Sequence, residues 1–149
     1  GGFVNDNIAV TSQMFCLDDG DEARHLFAGA KTGKFLEYFF RWLDSVPRPA
    51  GLPKTGPVSI PEPTVESLAE RTAAGGYMIG SPDEIAASIQ RYADLGVDQL
   101  IYAPLTMVMD QKQVLRSIET FGKHVLPRFD RDPVHRTTRL REASLGKAA

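Results

Sequence analysis

Three stretches of the chain carry groups that can do chemistry. Thr11 and Gln13, with Phe15, lie toward the end of the run Ile8 to Leu17. Their neutral polar groups suit either hydrogen bonding to a ligand or a polar layer of a core. Gly80 and Ser81 stand immediately before Pro82-Asp83-Glu84. A glycine ahead of a helix N-terminus offers free N–H groups and the positive end of the helix dipole to an anion. The same residues form a complete helix start, with Ser81 and Glu84 spaced as a capping box and Pro82 at the first helical position. Asp83 and Glu84 would repel a phosphate there, so capping is the preferred reading. Tyr102, Ala103, Pro104 and Leu105, followed by Met107 and Met109, make an apolar rim suited to a flat aromatic ligand or to a core. His25, His124 and His135 are scattered without metal-ligand spacing, so no metal is expected. Nothing beside Cys16 would lower its pKa, since Leu17 and acidic residues follow it. No Ser-His-Asp pattern, P-loop or Gly-x-Gly-x-x-Gly occurs.

The elements that must position these residues read as repeated βα units. Ile8 to Leu17 is the first strand, with Val10, Ser12, Met14 and Cys16 on one face and Ala9, Thr11, Gln13 and Phe15 on the other. Neither face is charged, as in a strand covered on both sides. Asp18, Asp19 and Asp21 lead into a helix expected from about residue 21 to about residue 44, which Gly29 and Gly33 weaken in the middle. Six of ten prolines then fall within residues 46–63, which excludes a helix or a central strand and marks a lid or an insertion. Thr64 to Ala74 returns as a short helix capped near Thr64. Gly76 to Ile79, closed by Gly80, is the second strand. A helix with Ile85, Ile89, Tyr92 and Ala93 inward follows and ends at Gly96. Val97 to Ala103 is the third strand, stopped by Pro104. Val114, Ile118, Phe121 and Val125 mark the last helix, ended by Pro127. From Asp130 onward the tail reads as polar, basic and poorly ordered.

Consecutive βα units belong to a parallel sheet with helices on its faces, and its sites lie at the carboxyl ends of the strands. The fold class is therefore α/β. At 149 residues the chain is too short for a complete (β/α)8 barrel of about 250. It opens Gly-Gly-Phe-Val without methionine, and a fragment of a longer protein is expected. A net charge of -2 gives no electrostatic case for nucleic acid. One cysteine excludes an internal disulfide and suits a reducing, cytoplasmic compartment. No apolar run approaches the roughly 20 residues of a membrane span, and no signal peptide is visible.

Several segments, read in order, resemble the carboxyl-terminal part of the bacterial luciferase-like flavin-dependent monooxygenases. These are the strand Ile-Ala-Val-Thr-Ser-Gln-Met-Phe-Cys-Leu-Asp-Asp with Asp-Glu-Ala-Arg behind it, and Tyr-Met-Ile-Gly-Ser-Pro-Asp-Glu-Ile followed by Leu-Gly-Val-Asp-Gln-Leu-Ile. The last is Val-Leu-Arg-Ser-Ile-Glu-Thr-Phe-Gly-Lys-His-Val-Leu-Pro-Arg-Phe-Asp, with Asp-Pro-Val-His-Arg-Thr-Thr-Arg after it. The resemblance implies a partial (β/α)8 TIM barrel. Residues 1–129 would be strands six to eight with their helices, 46–63 a Pro-rich insertion, and 130–149 a tail. It implies reduced FMN, or the deazaflavin F420, used in a flavin-dependent monooxygenase or oxidoreductase on a small organic substrate. The cofactor's phosphate would be held mainly by residues before this chain. Thr11 and Gln13 match strand-six positions that face the active site, and the absence of arginine and histidine there argues against a sulfonate. Thr11, Gln13, Gly80, Ser81 and Tyr102 are the candidate lining residues.

Another class of function stays open. Three strands leave two open edges and apolar surface to hide, so the chain can instead be a non-catalytic half-barrel that binds a partner or itself. A homodimer, or contact with a missing amino-terminal half, is expected either way. A third reading is an unrelated α/β domain binding a phosphorylated ligand at Gly80 and Ser81.

Overall fold

The structure, a computed structural model, describes residues 7–43, 50–51, 60–104, 108–132, 134 and 136–146. The first strand, β1, is Ala9–Cys16. Asp19 caps α1 (Gly20–Gly29) by accepting from the Asp21 and Glu22 amides at 2.9 and 3.2 Å. The weakness at Gly29 becomes a break: Lys31 takes a left-handed φ of 54°, and α2 (Thr32–Leu43) starts afresh. Gly33 lies inside α2 because the chain crosses close by, where a Cβ would meet the Ile60 carbonyl oxygen at 2.9 Å. Thr64 and Ser67 form a capping box on α3 (Val65–Ala73). The remaining elements are β2 (Met78–Gly80), α4 (Pro82–Asp94), β3 (Gln99–Ala103), α5 (Gln111–His124), α6 (Leu126–Phe129) and α7 (Arg136–Gly146). Among the described residues no helix is long and apolar enough to cross a membrane.

The strands form one parallel sheet in the order β2-β1-β3. Met14, Phe15 and Cys16 pair with Met78, Ile79 and Gly80, while Ala9 to Gln13 pair with Gln99 to Ala103. Alternation along β1 then divides the core in two. Phe15 and Leu17 pack with Ile79 against Ala23 and Phe27 of α1 and Leu68 of α3. Met14 and Cys16 pack with Met78 against Ile85, Ala86 and Ile89 of α4 and against Val125. The helices thus lie on both faces. That is what right-handed crossovers require when the chain steps from β1 to one side and returns across it to the other.

This order differs from the expected run of barrel strands. Consecutive strands of a (β/α)8 barrel lie side by side, so strands six to eight would stand as β1-β2-β3. The physical reason for the difference is the length of β2. Its three residues offer a short ladder, whereas β1 offers β3 a ladder five residues long. What the structure shows is a mixed α/β chain with a small parallel sheet.

Two other expectations are corrected. Pro127 does not end the last helix; α5 ends at His124 and Pro127 sits in the first turn of α6, where its missing N–H costs nothing. The tail is not wholly irregular, since Arg136–Gly146 is helical. Of the Pro-rich stretch, residues 46–49 and 52–59 lie outside the described residues, and the question of a lid falls there.

Beyond Gln13, β1 continues without β3 beside it, and α5 takes that place. The Cys16 N–H donates to Ser117 Oγ at 2.7 Å, deep in the protein. The same hydroxyl is bonded to the Tyr102 hydroxyl. Ser117→Ala would orphan a buried amide and a mostly buried phenol, so a loss of about 1–3 kcal/mol is expected from urea denaturation. An alanine variant as stable as the parent would show that this hydroxyl does not tie α5 to the sheet.

Candidate ligand-binding site

A reversal of strand order has a functional corollary. In open parallel sheets ligands bind beyond the carboxyl ends of the strands, at the point where the order reverses. Here that point lies between β1 and β3, where Gln13 stands opposite Ala103, the last residue of β3. Thr11 stands opposite Ile101 one step below, on the same face. Helices α1 and α3 cover this face at Phe15 and Leu17 but leave Thr11 and Ile101 exposed, Ile101 at 45%. Gln13 is half-buried, and its Oε1 is a buried acceptor with no hydrogen-bond partner among the described residues. Leaving such an atom without a donor costs about 1–3 kcal/mol.

Tyr102 does not join Thr11 and Gln13. It pairs with Ser12 and so projects to the opposite face, where its ring packs against Phe121 at 5.2 Å between centroids. Burial pushes its phenol up to about 12, with the Ser117 hydrogen bond opposing. It therefore stays protonated, partly buried against the second core cluster, and it lines a cavity on that face with Met14, Leu100 and Phe121, apart from Thr11 and Gln13. Cys16 is likewise fully buried, and burial together with Asp18 pushes its thiol up to about 12. That makes it inert as a nucleophile. Met109 belongs to the core with Phe15 and Phe27, while Leu105 and Met107 lie outside the described residues.

Gly80 and Ser81 are also separate from the switch point. Gly80 ends β2 opposite Cys16, on the other edge of β1 from β3. Ser81 is occupied as the cap of α4: its N–H and hydroxyl donate to Glu84 Oε2 at 2.8 and 2.9 Å. Glu84 Oε1 accepts from Arg24 Nη1 at 2.8 Å, and Arg24 Nη2 reaches Asp21 at the same distance. A Cβ at Gly20 or Gly80 would collide with Glu84 Oε2. The two glycines thus make room for a carboxylate of the chain itself, in the place where a ligand's anion would go. The capping reading preferred from the sequence is what the structure has at Ser81 and Glu84, and the anion-cradle alternative gives way to a structural node. Glu84 was legible from the sequence as the capping partner of Ser81, but Arg24, which pairs with it, was not singled out. The available signal was the pair of glycines at the starts of two helices, Gly20 opening α1 and Gly80 just before the Ser81 cap of α4.

Among the described residues no group of three or more His, Cys, Asp or Glu side chains could hold a metal ion. No family model matches the chain, and no curated protein does. Among solved structures, the chain is similar to the crystal structure of apo-MsnO8, at 21% identity and a TM-score of 0.49. The match covers 79% of this chain and 34% of that one, so this chain spans about a third of that protein's length.

The Glu84 node has a pH signature. Burial raises its pKa, but the Ser81 and Arg24 hydrogen bonds outweigh burial and hold it below the ordinary 4.5. A depressed carboxyl contributes stability that is present above pH 4.5 and is lost as pH falls through the lower folded value. Glu84→Ala is expected to cost about 2 kcal/mol at pH 7, from the lost cap and the stripped Arg24. The deficit should narrow below pH 4.5 in urea melts across pH. A deficit constant with pH would contradict the assignment.

Proposed function

We propose that the chain is the carboxyl-terminal portion of a flavin-dependent oxidoreductase of the luciferase-like kind, acting on a small organic substrate in a reducing, cytoplasmic compartment. FMN is the preferred cofactor, with the deazaflavin F420 as the alternative. The observation that carries the reading is Gln13: a buried amide acceptor lacking a donor among the described residues, at the switch point of a parallel sheet, beside a face left open. The ordered sequence segments quoted above support it independently.

The residues present fit one part of such a cofactor and not the other. Gln13 Oε1 offers an acceptor to a ring N–H, and Thr11 adds a hydroxyl on the same face. Gly80 and Ser81 do not fit the phosphate, because Glu84 already accepts what they donate. The phosphate on this reading is held by residues outside this chain. When bound, the reduced cofactor supplies a hydride or activates dioxygen. The chain's own contribution is to orient the ring edge and to keep water from one side of it. The barrel form of the reading would need β3 on the outer edge of β2, so the proposal rests on the open face and not on closure.

A second reading is a non-catalytic module that pairs with a partner or with its own copy. The exposure of Ile101 on a parallel sheet favours it, since such sheets are covered on both faces. Titration of FMN and of F420 into the protein, followed by cofactor absorption and fluorescence, decides between them. The flavin reading predicts a saturable change with one cofactor, weakened about tenfold by Gln13→Leu. No change with either, in a protein that self-associates on sedimentation, would overturn it in favour of the second.

A further inference from the structure

The cleft between α2, α3 and residues 60–64 is built from chemistry that the open face of the sheet does not use. It encloses about 300 Å³, at the lower end of the range for small-molecule sites. Leu36, Ile60, Pro61 and Pro63 supply apolar wall, and Tyr77 supplies an aromatic one. The Phe27 ring packs against Tyr77 at a tilt, with centroids 6.5 Å apart. Two charged side chains border the space, and they differ in what they have left to give. Glu62 is spent: its Oε2 accepts from the Gly33 amide at 2.8 Å and its Oε1 from the Lys34 amide at 3.1 Å, closing the first turn of α2. Arg71 is not spent. Its guanidinium lies over the Tyr77 ring, 5.1 Å from the centroid, and forms no salt bridge among the described residues.

We infer that this cleft binds a small aromatic carboxylate. A guanidinium held against an aromatic ring keeps its fork of donors in place, and that fork matches a carboxylate. The apolar wall and the Tyr77 ring suit a flat hydrocarbon body, with an offset ring contact adding to the buried area. A cationic ligand is disfavoured by Arg71. A phosphate is disfavoured on two grounds: it would leave the apolar wall unfilled, and its second charge would face the Glu62 carboxylate. The site is separate from Thr11 and Gln13 and does not rest on the flavin reading.

The test uses benzoate as probe, with benzamide as its neutral isostere and benzylamine as its cationic counterpart, each titrated into the chain and followed by amide NMR shifts. Benzoate should give saturable shifts centred on Gly33, Leu36 and Tyr77, and bind about tenfold more tightly than benzamide. Benzylamine should not bind. Arg71→Gln should erase the preference for benzoate over benzamide, and Arg71→Lys should keep part of it. Should Arg71→Gln fail to fold, the ranking of the three probes on the parent chain still decides the matter. No saturable shift up to about 10 mM benzoate would overturn the proposal. So would shifts centred elsewhere, a preference intact in Arg71→Gln, or benzylamine binding as well as benzoate.

Discussion

Everything in this fold depends on β1 having a partner on each edge and cover on each face. A parallel strand left open on an edge exposes unpaired N–H and C=O groups, and an uncovered face leaves apolar side chains in water. At its carboxyl half β1 meets that constraint in full. Its β2 ladder takes one edge, Ser117 of α5 takes the Cys16 amide on the other, and two helical layers close over Phe15 and Met14. Its amino half meets the constraint only in part, since β3 fills one edge while Thr11 and Ile101 remain exposed on one face. The candidate site lies at the boundary between these halves, and Gln13 stands on that boundary.

The second organising interaction is electrostatic. Arg24 is a buried guanidinium, and burying one alone is expensive. Asp21 from its own helix and Glu84 from the start of α4 offset that cost, while Glu84 also receives Ser81. One carboxylate therefore caps a helix, neutralises a cation and joins the helices that follow β1 and β2. This explains why Ser81 in the Gly-Ser-Pro-Asp-Glu turn gives both its N–H and its hydroxyl to a carboxylate of the chain itself.

Local signals were legible in the sequence because they are local. The Ser81 and Thr64 caps and the helix start after the Asp18-Asp19 turn each follow from a few adjacent residues and are in the structure, while the helix expected to run to about residue 44 with a weak middle is two helices, α1 and α2. Strand identity was legible too, within a residue or two at each end. Strand order was not. It depends on whether β3 finds a longer ladder on β1 or on β2, a comparison between segments some ninety residues apart. The face that Tyr102 takes was not legible for the same reason. Its face follows from register with Ser12, and register is a property of the pair of strands. Thr11 and Gln13 were placed together correctly because residues two apart on one strand must share a face.

The most direct test of this account is the set of backbone proton contacts between strands, read by NMR on the chain. With β1 at the centre, short Hα-to-amide contacts should link Thr11 to the neighbourhood of Ile101 and, in the same sample, Phe15 to the neighbourhood of Ile79. Contacts joining Met78–Gly80 directly to Gln99–Ala103, with none between Ala9–Gln13 and Gln99–Ala103, would put β2 at the centre instead. That result would remove the switch point on which the candidate site depends.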